Sequence, residues 1–171
     1  MNQNQLIIIC GPPASGKSTY ARNLAKEKHC CLLDIDTVTE TLVHKSLTLL
    51  DRDPNDRDSS YFKSNYRDPI YQTLFKIAKE NLKHVNTIIV GPFTKELNQK
   101  DWNESLEEEF QCQVQILFTT CSKNLRYQRM VNRGESRDLP KLENWDTYLK
   151  YYGNDAHPKC VHQVINTESL N

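Results

Sequence analysis

The chain has no surplus of either charge: across 171 residues, 22 lysines and arginines meet 22 aspartates and glutamates. A dedicated nucleic-acid binder usually carries a basic footprint. The balance therefore disfavours a long polynucleotide partner, though a local basic groove stays open. No apolar stretch approaches the length needed to cross a bilayer. Met1-Asn2-Gln3-Asn4-Gln5 is polar and lacks the charged and apolar regions of a secretory signal, so a soluble, cytoplasmic protein is expected. The six cysteines (Cys10, Cys30, Cys31, Cys112, Cys121, Cys160) show no Cys-x-x-Cys pair and no zinc-ligand spacing, which leaves free thiols. The histidines are scattered, also without metal-ligand spacing. There is no internal repeat, no low-complexity segment and no sign of a second domain. The length suits one domain over residues 1–171.

What is present is concentrated near the start. Residues 11–18 are Gly11-Pro12-Pro13-Ala14-Ser15-Gly16-Lys17-Ser18, a complete G-x-x-x-x-G-K-[ST] phosphate-binding loop. The apolar run Leu6-Ile7-Ile8-Ile9-Cys10 before it reads as a buried strand, and residues 17–28 after it as a helix. That context separates a working P-loop from a chance match. Gly11 and Gly16 permit backbone angles that a Cβ would obstruct. Successive N–H groups then converge on phosphate oxygens, aided by the helix N-terminus. Pro12 and Pro13 have no N–H, so the donors are expected from Ala14, Ser15, Gly16, Lys17, Ser18 and Thr19. Lys17 is expected on the β- and γ-phosphates and the Ser18 hydroxyl on Mg²⁺. The loop predicts a nucleoside triphosphate and Mg²⁺ on a parallel α/β sheet.

The remaining pattern alternates strand and helix, as a doubly wound fold requires. Strands are predicted at residues 6–10, 31–35, 87–90, 114–118 and 161–165. Helices are predicted at 17–28, from 36, from 68, over 95–110, over 123–132 and over 139–152. In the helix from 68, Asp68 is expected as cap and Pro69 as the first helical residue. Residues 51–60, charged and broken by Pro54, read as a surface loop, with closure over a substrate as the alternative. Asp34 and Asp36 lie at the carboxyl end of the second strand, where α/β sheets bind ligands. Two apart in a strand, they share a face. One carboxylate there suits a metal or its water, the other an attacking hydroxyl.

The P-loop followed by Asp34-Ile35-Asp36 resembles the small P-loop kinases of the shikimate kinase, gluconate kinase and zeta-toxin/polynucleotide-kinase grouping. The resemblance implies a three-layer P-loop NTPase fold: a central five-stranded parallel sheet flanked by helices, nucleoside-kinase-like with a lid. It implies Asp34 on the metal side and Asp36 as the base. Arg126, Arg129, Arg133 and Arg137 fall within twelve positions, interrupted by Gly134-Glu135-Ser136. They resemble a lid over residues 126–140, with Arg129, Arg133 and Arg137 closing on ATP and Arg133 stabilising transferred charge. Arg67 sits where related kinases hold an anionic substrate. Gly91 follows the third strand, which lacks the metal-side acid of GTPases and motor ATPases, and is expected to let backbone approach the substrate. The acceptor is expected in the segment 37–83. The function implied is transfer of the γ-phosphoryl group to a hydroxyl of a small molecule. A nucleoside, a polynucleotide 5′-hydroxyl or a sugar nucleotide is the alternative acceptor, and a nucleotide switch without an acceptor is the rival class.

Overall fold

The structure is a computed structural model; it describes residues 4–151 and 157–170, apart from the side chains of Arg137 and Tyr151. Five strands, β1 (Leu6–Cys10), β2 (Cys31–Asp34), β3 (Thr87–Val90), β4 (Val114–Thr120) and β5 (Gln163–Asn166), form one sheet in the order β2-β3-β1-β4-β5. Every neighbouring pair is parallel, in the register Leu6↔Thr87 and Leu6↔Val114 across the central strand. This is the expected five-stranded parallel α/β sheet.

β1 is buried on both faces, which is why it reads as a continuous apolar run. Leu6, Ile8 and Cys10 face one layer, with α4 (Arg67–Asn81) and α5 (Trp102–Phe110). Ile7 and Ile9 face the other, with Ala21 of α1 (Lys17–Lys28). Leu74 and Ala78 of α4 are fully buried, and Ile70, Ile77 and Leu82 pack around them, as the helical spacing predicts. α2 (Ile35–Leu49) and α3 (Ser60–Asn65) make a small satellite core of Val43, Leu47 and Phe62. α6 (Lys123–Arg133), α7 (Leu139–Glu143) and α8 (Trp145–Tyr151) precede β5.

Four expectations need correction. β2 ends at Asp34, so Asp36 lies in the first turn of α2 and not in the strand. The cause is local: the Asp34 side chain accepts the Asp36 N–H at 3.1 Å and caps the helix. α4 starts at Arg67, placing Asp68 inside its first turn instead of at the cap, because Tyr66 ends α3 and begins α4 at once. The expected helix over 95–110 is a 3₁₀ turn at Glu96–Asn98 followed by α5. There the Leu97 carbonyl accepts from Lys159 N–H at 2.7 Å, so it does not continue a helical ladder. The helix over 139–152 is broken into α7 and α8 at Asn144, whose φ and ψ are −121° and 44°; Tyr152 lies outside the described residues. All six cysteines are free thiols, as expected. Among the described residues no helix is long and apolar enough to cross a membrane.

The connection leaving β1 runs toward the β2 edge and that leaving β3 toward the β5 edge. Their carboxyl ends therefore flank a topological switch point, where open α/β sheets bind ligands.

Candidate active site

The P-loop leaves β1 at Gly11, whose φ of 141° lies outside the ordinary range of L side chains. A Cβ there would stand 2.4 Å from the Thr119 carbonyl oxygen. Thr119, in β4, donates its hydroxyl to the Cys10 carbonyl at 3.0 Å. Its oxygen also lies 2.6 Å from the Ser15 hydroxyl, which is left as the donor in that pair. Ser15 N–H closes a turn onto the Pro12 carbonyl at 3.2 Å. Of the expected phosphate donors, the Ser15 amide is thus engaged within the loop. Gly16 caps α1 at φ 86°. The next amides, of Lys17, Ser18 and Thr19, open the helix and have no intrahelical acceptor. Thr167, just past β5, donates its hydroxyl to the Ser15 carbonyl at 2.7 Å. The loop is moored from both sides.

Lys17 folds back along it, donating from Nζ to the Gly11 and Pro12 carbonyls at 2.9 and 2.8 Å. Burial pushes its ammonium down from 10.5 to about 8; Cys10, Asp36 and Asp34 pull it back up and Arg133 opposes them. Lys17 therefore feels both carboxylates that follow β2.

The Ser18 hydroxyl donates to Asp34 Oδ2 at 2.5 Å. A hydroxyl and a carboxylate oxygen side by side are a hard-oxygen pair, suited to Mg²⁺ completed by phosphate oxygens and water. Among the described residues no group of three or more His, Cys, Asp or Glu could hold a metal alone. Asp36 lines the same cavity, reached from α2 instead of from a strand face.

The arginines divide. Arg126 is buried. Arg129 lines the cavity, but its guanidinium is committed to protein acceptors: Thr167 O at 2.8 Å, Leu170 O at 2.7 Å, Thr167 Oγ1 at 3.2 Å and Ala14 O at 3.4 Å. It ties the segment after β5 to the P-loop. Arg133 also lines the cavity and forms a two-point ion pair with buried Asp138, one contact being 2.7 Å from Nη2 to Oδ1. The Arg137 side chain lies outside the described residues. Arg67 reaches the cavity but gives Nη2 to both Glu96 carboxylate oxygens, at 2.8 and 2.6 Å, and stacks 4.8 Å from the Tyr71 ring centroid. Gly91 lines the cavity as well, yet the atom nearest to a Cβ there is a Phe93 ring carbon at 3.1 Å. Its lack of a side chain makes room for Phe93, which is itself buried in the core.

These groups surround one cavity of about 670 Å³. Its lining includes cations that sequence reasoning did not assign: Arg22 of α1, Arg57 from the turn before α3, Lys63 of α3 and Lys141 of α7. Thr119 and Thr167 were missed as loop anchors. Arg57 had a signal, since the loop over 51–60 was already a candidate for closure. Lys63 and Lys141 had none, being ordinary charged residues on helices.

A 54-residue stretch is 37% identical to the tRNA dimethylallyltransferase of Rickettsia prowazekii (strain Madrid E). It covers 32% of this chain and 16% of that enzyme, so the chain spans far less than the whole relative. Solved structures align over nearly the full length. A provisionally assigned kinase of Chloroflexus aurantiacus J-10-fl is 16% identical with a TM-score of 0.64, over 99% of this chain and 93% of that one. The shikimate kinase of Bacteroides thetaiotaomicron is 15% identical with a TM-score of 0.56, over 97% and 88%. A gluconokinase of Sinorhizobium meliloti 1021 is 14% identical with a TM-score of 0.51, over 99% and 86%. Those identities speak for the fold alone. The family description "AAA domain" matches residues 6–154, so the chain belongs to the AAA domain family and has the fold of the P-loop kinases.

Proposed function

We propose that the protein is an ATP-dependent, Mg²⁺-requiring kinase that moves the γ-phosphoryl group to a hydroxyl of a small molecule. The observation that carries this reading is the convergence of Lys17 and Asp36 on one cavity. A P-loop alone supports nucleotide binding. A carboxylate in the same cavity, outside the loop and apart from the Ser18–Asp34 pair, adds a place for an attacking hydroxyl.

The α1 N-terminus and Lys17 hold the β- and γ-phosphates of ATP. Lys17 exchanges its two carbonyl acceptors for phosphate oxygens. Ser18 and Asp34 would hold Mg²⁺, which when bound offsets the negative charge of the phosphates. Asp36 orients the acceptor hydroxyl and takes its proton as the oxygen attacks the γ-phosphorus. The bond from that phosphorus to the β–γ bridging oxygen breaks, and ADP leaves. Arg133, aligned by Asp138, stabilises the charge on the transferring group. Arg129 acts one step removed: it sets the relative position of the P-loop and the segment at 167–170. Residues 37–83 supply the acceptor side and residues 126–140 the lid. ATP as donor fits a cytoplasmic protein.

The test is a screen of hydroxyl-bearing metabolites, nucleosides and oligonucleotides for ADP release, with Asp36→Asn as control. The expected result is release that depends on a particular acceptor and collapses in Asp36→Asn. Slow hydrolysis indifferent to every acceptor and to that substitution would show a nucleotide switch instead.

A further inference from the structure

β5 ends the sheet, and among the described residues no strand lies beyond it. Natural proteins blunt such edges with charge, proline, a bulge or a cover. The stretch Cys160-Val161-His162-Gln163-Val164-Ile165-Asn166-Thr167 holds no Lys, Arg, Asp, Glu or Pro. Val161 and Val164 are 69% and 43% exposed. Thr167 gives its N–H to the Thr120 carbonyl at 2.9 Å, so Thr167 and Ile165 turn their backbone groups toward β4. By the alternation of a strand, Val164 and Asn166, with His162 just before β5, turn theirs outward. The opposite edge of the sheet is different. Cys31 gives its N–H to the Asn86 carbonyl at 2.9 Å, which leaves Leu32 and Asp34 facing out of β2. Asp34 ends that short row with a charge already held by Ser18 and by the cap of α2.

We propose that the β5 edge pairs with the same edge of a second copy of this chain, antiparallel about a two-fold axis at Val164, so that two sheets become one. The side chains select a second copy as the partner. With Val164 opposite itself, His162 of each copy lies opposite Asn166 of the other. Each has one polar group already committed within its own chain. His162 Nδ1 lies 2.9 Å from the Cys160 carbonyl, which can only accept, so Nδ1 carries the proton and Nε2 is left as an acceptor. Asn166 Oδ1 accepts the Glu168 N–H at 2.9 Å, which leaves the Asn166 amide NH₂ as a donor. Donor thus faces acceptor, and the two-fold axis makes the pair twice. The same axis would set any charge on the edge close to a like charge, and residues 160–167 have none. A peptide from another protein would place no such demand on the edge. The Val164 side chains meet at the centre and leave water. Residues 160–166 do not line the cavity, so the pairing stands apart from the acceptor and from the kinase reading.

The test is sedimentation velocity of the whole protein over a concentration series. The interface is small, so the wild type should pass from monomer to dimer with a dissociation constant of about 10⁻⁵ M. Val164→Lys and Val164→Glu each set like charges face to face across the axis, and each should weaken association by about tenfold or more. An equimolar mixture of the two should associate again, because Lys then meets Glu. Only a position that faces itself restores association in this way. Cooperative urea unfolding at an unchanged midpoint shows that the variants are folded, Val164 being partly exposed. Hydrogen exchange gives a second reading. The Val164 and Asn166 N–H groups should be protected in concentrated wild type and exchange freely in Val164→Lys. A wild type still monomeric at about 10⁻³ M overturns the inference, even if its β5 takes up an extended peptide instead. A dimer that Val164→Lys leaves intact overturns it, as does a mixture that stays monomeric.

Discussion

The two sides of the cavity are built differently. The P-loop side is assembled from remote parts of the chain: Ser15 meets Thr119 across 104 positions, Thr167 meets Ser15 across 152 and Arg129 meets Ala14 across 115. The wall formed by α2 and α3 is assembled locally: Asp56 holds Ser59, Ser59 caps α3 through Phe62 N–H, and Ser46 meets Tyr66 across only 20 positions. A long-range frame moves only when the sheet moves, which suits a constant ligand such as ATP. A locally folded wall can be exchanged without disturbing the sheet, which suits a specificity-determining segment. The Lys141–Asp58 pair brings α7 against the turn before α3.

The sharpest way to separate the sides is to remove one function from each. Asp36→Asn should lower acceptor-dependent turnover by about 10²–10⁴-fold, the usual worth of a general base, with affinity for an ATP analogue kept. Lys17→Ala should lower turnover by about 10²–10³-fold and weaken analogue binding as well, measured by calorimetry beside the kinetics. If Asp36→Asn also lost the analogue, the division between the sides would fail. Gly11→Ala tests the long-range frame itself. Its Cβ would press on the Thr119 carbonyl at 2.4 Å. A loss of about 1–3 kcal/mol in urea unfolding is expected, as for overpacking elsewhere.

A pH series probes Lys17. Its ammonium is lowered to about 8 in the ligand-free protein, so affinity for the analogue should fall as pH rises through about 8. The unfolded lysine keeps its proton up to 10.5, so the unfolded chain binds more protons between those values. The Lys17 contribution to stability therefore rises with pH across that window, the reverse of its effect on binding. Calorimetry and urea melts at matched pH should move in opposite directions, and both dependences should vanish in Lys17→Ala. The smallest effect is expected at the junction. Lys141→Ala should change unfolding stability by no more than about 1 kcal/mol, because Asp58 is largely exposed.

How much was legible in the sequence follows the same division. The P-loop is contiguous, so its residues and its strand–loop–helix setting could be read directly, and α1 occupies the predicted residues 17–28. The partners that moor the loop could not be read, because Thr119 and Thr167 reach it only through the order of the sheet. Arg129 was recognisable as one of a lid-like group. That its guanidinium clasps carbonyls near the end of the chain depends on contacts 38 and 41 positions away. Asp34 and Asp36 were found for chemistry while their backbone was misjudged. A carboxylate after a strand is equally a helix cap, and at Asp34 the cap ends β2 early. Arg57, Lys63 and Lys141 come from three separate elements and have no spacing to betray them.

The central claim is transfer to a hydroxyl, and the most direct measurement follows the phosphoryl group itself. ATP labelled at the γ-phosphorus would be incubated with the protein, Mg²⁺ and hydroxyl-bearing metabolites, and the products separated. Label is expected on a hydroxyl oxygen of one acceptor and is lost in Asp36→Asn. Label recovered solely as inorganic phosphate, at a rate no acceptor changes, would contradict it.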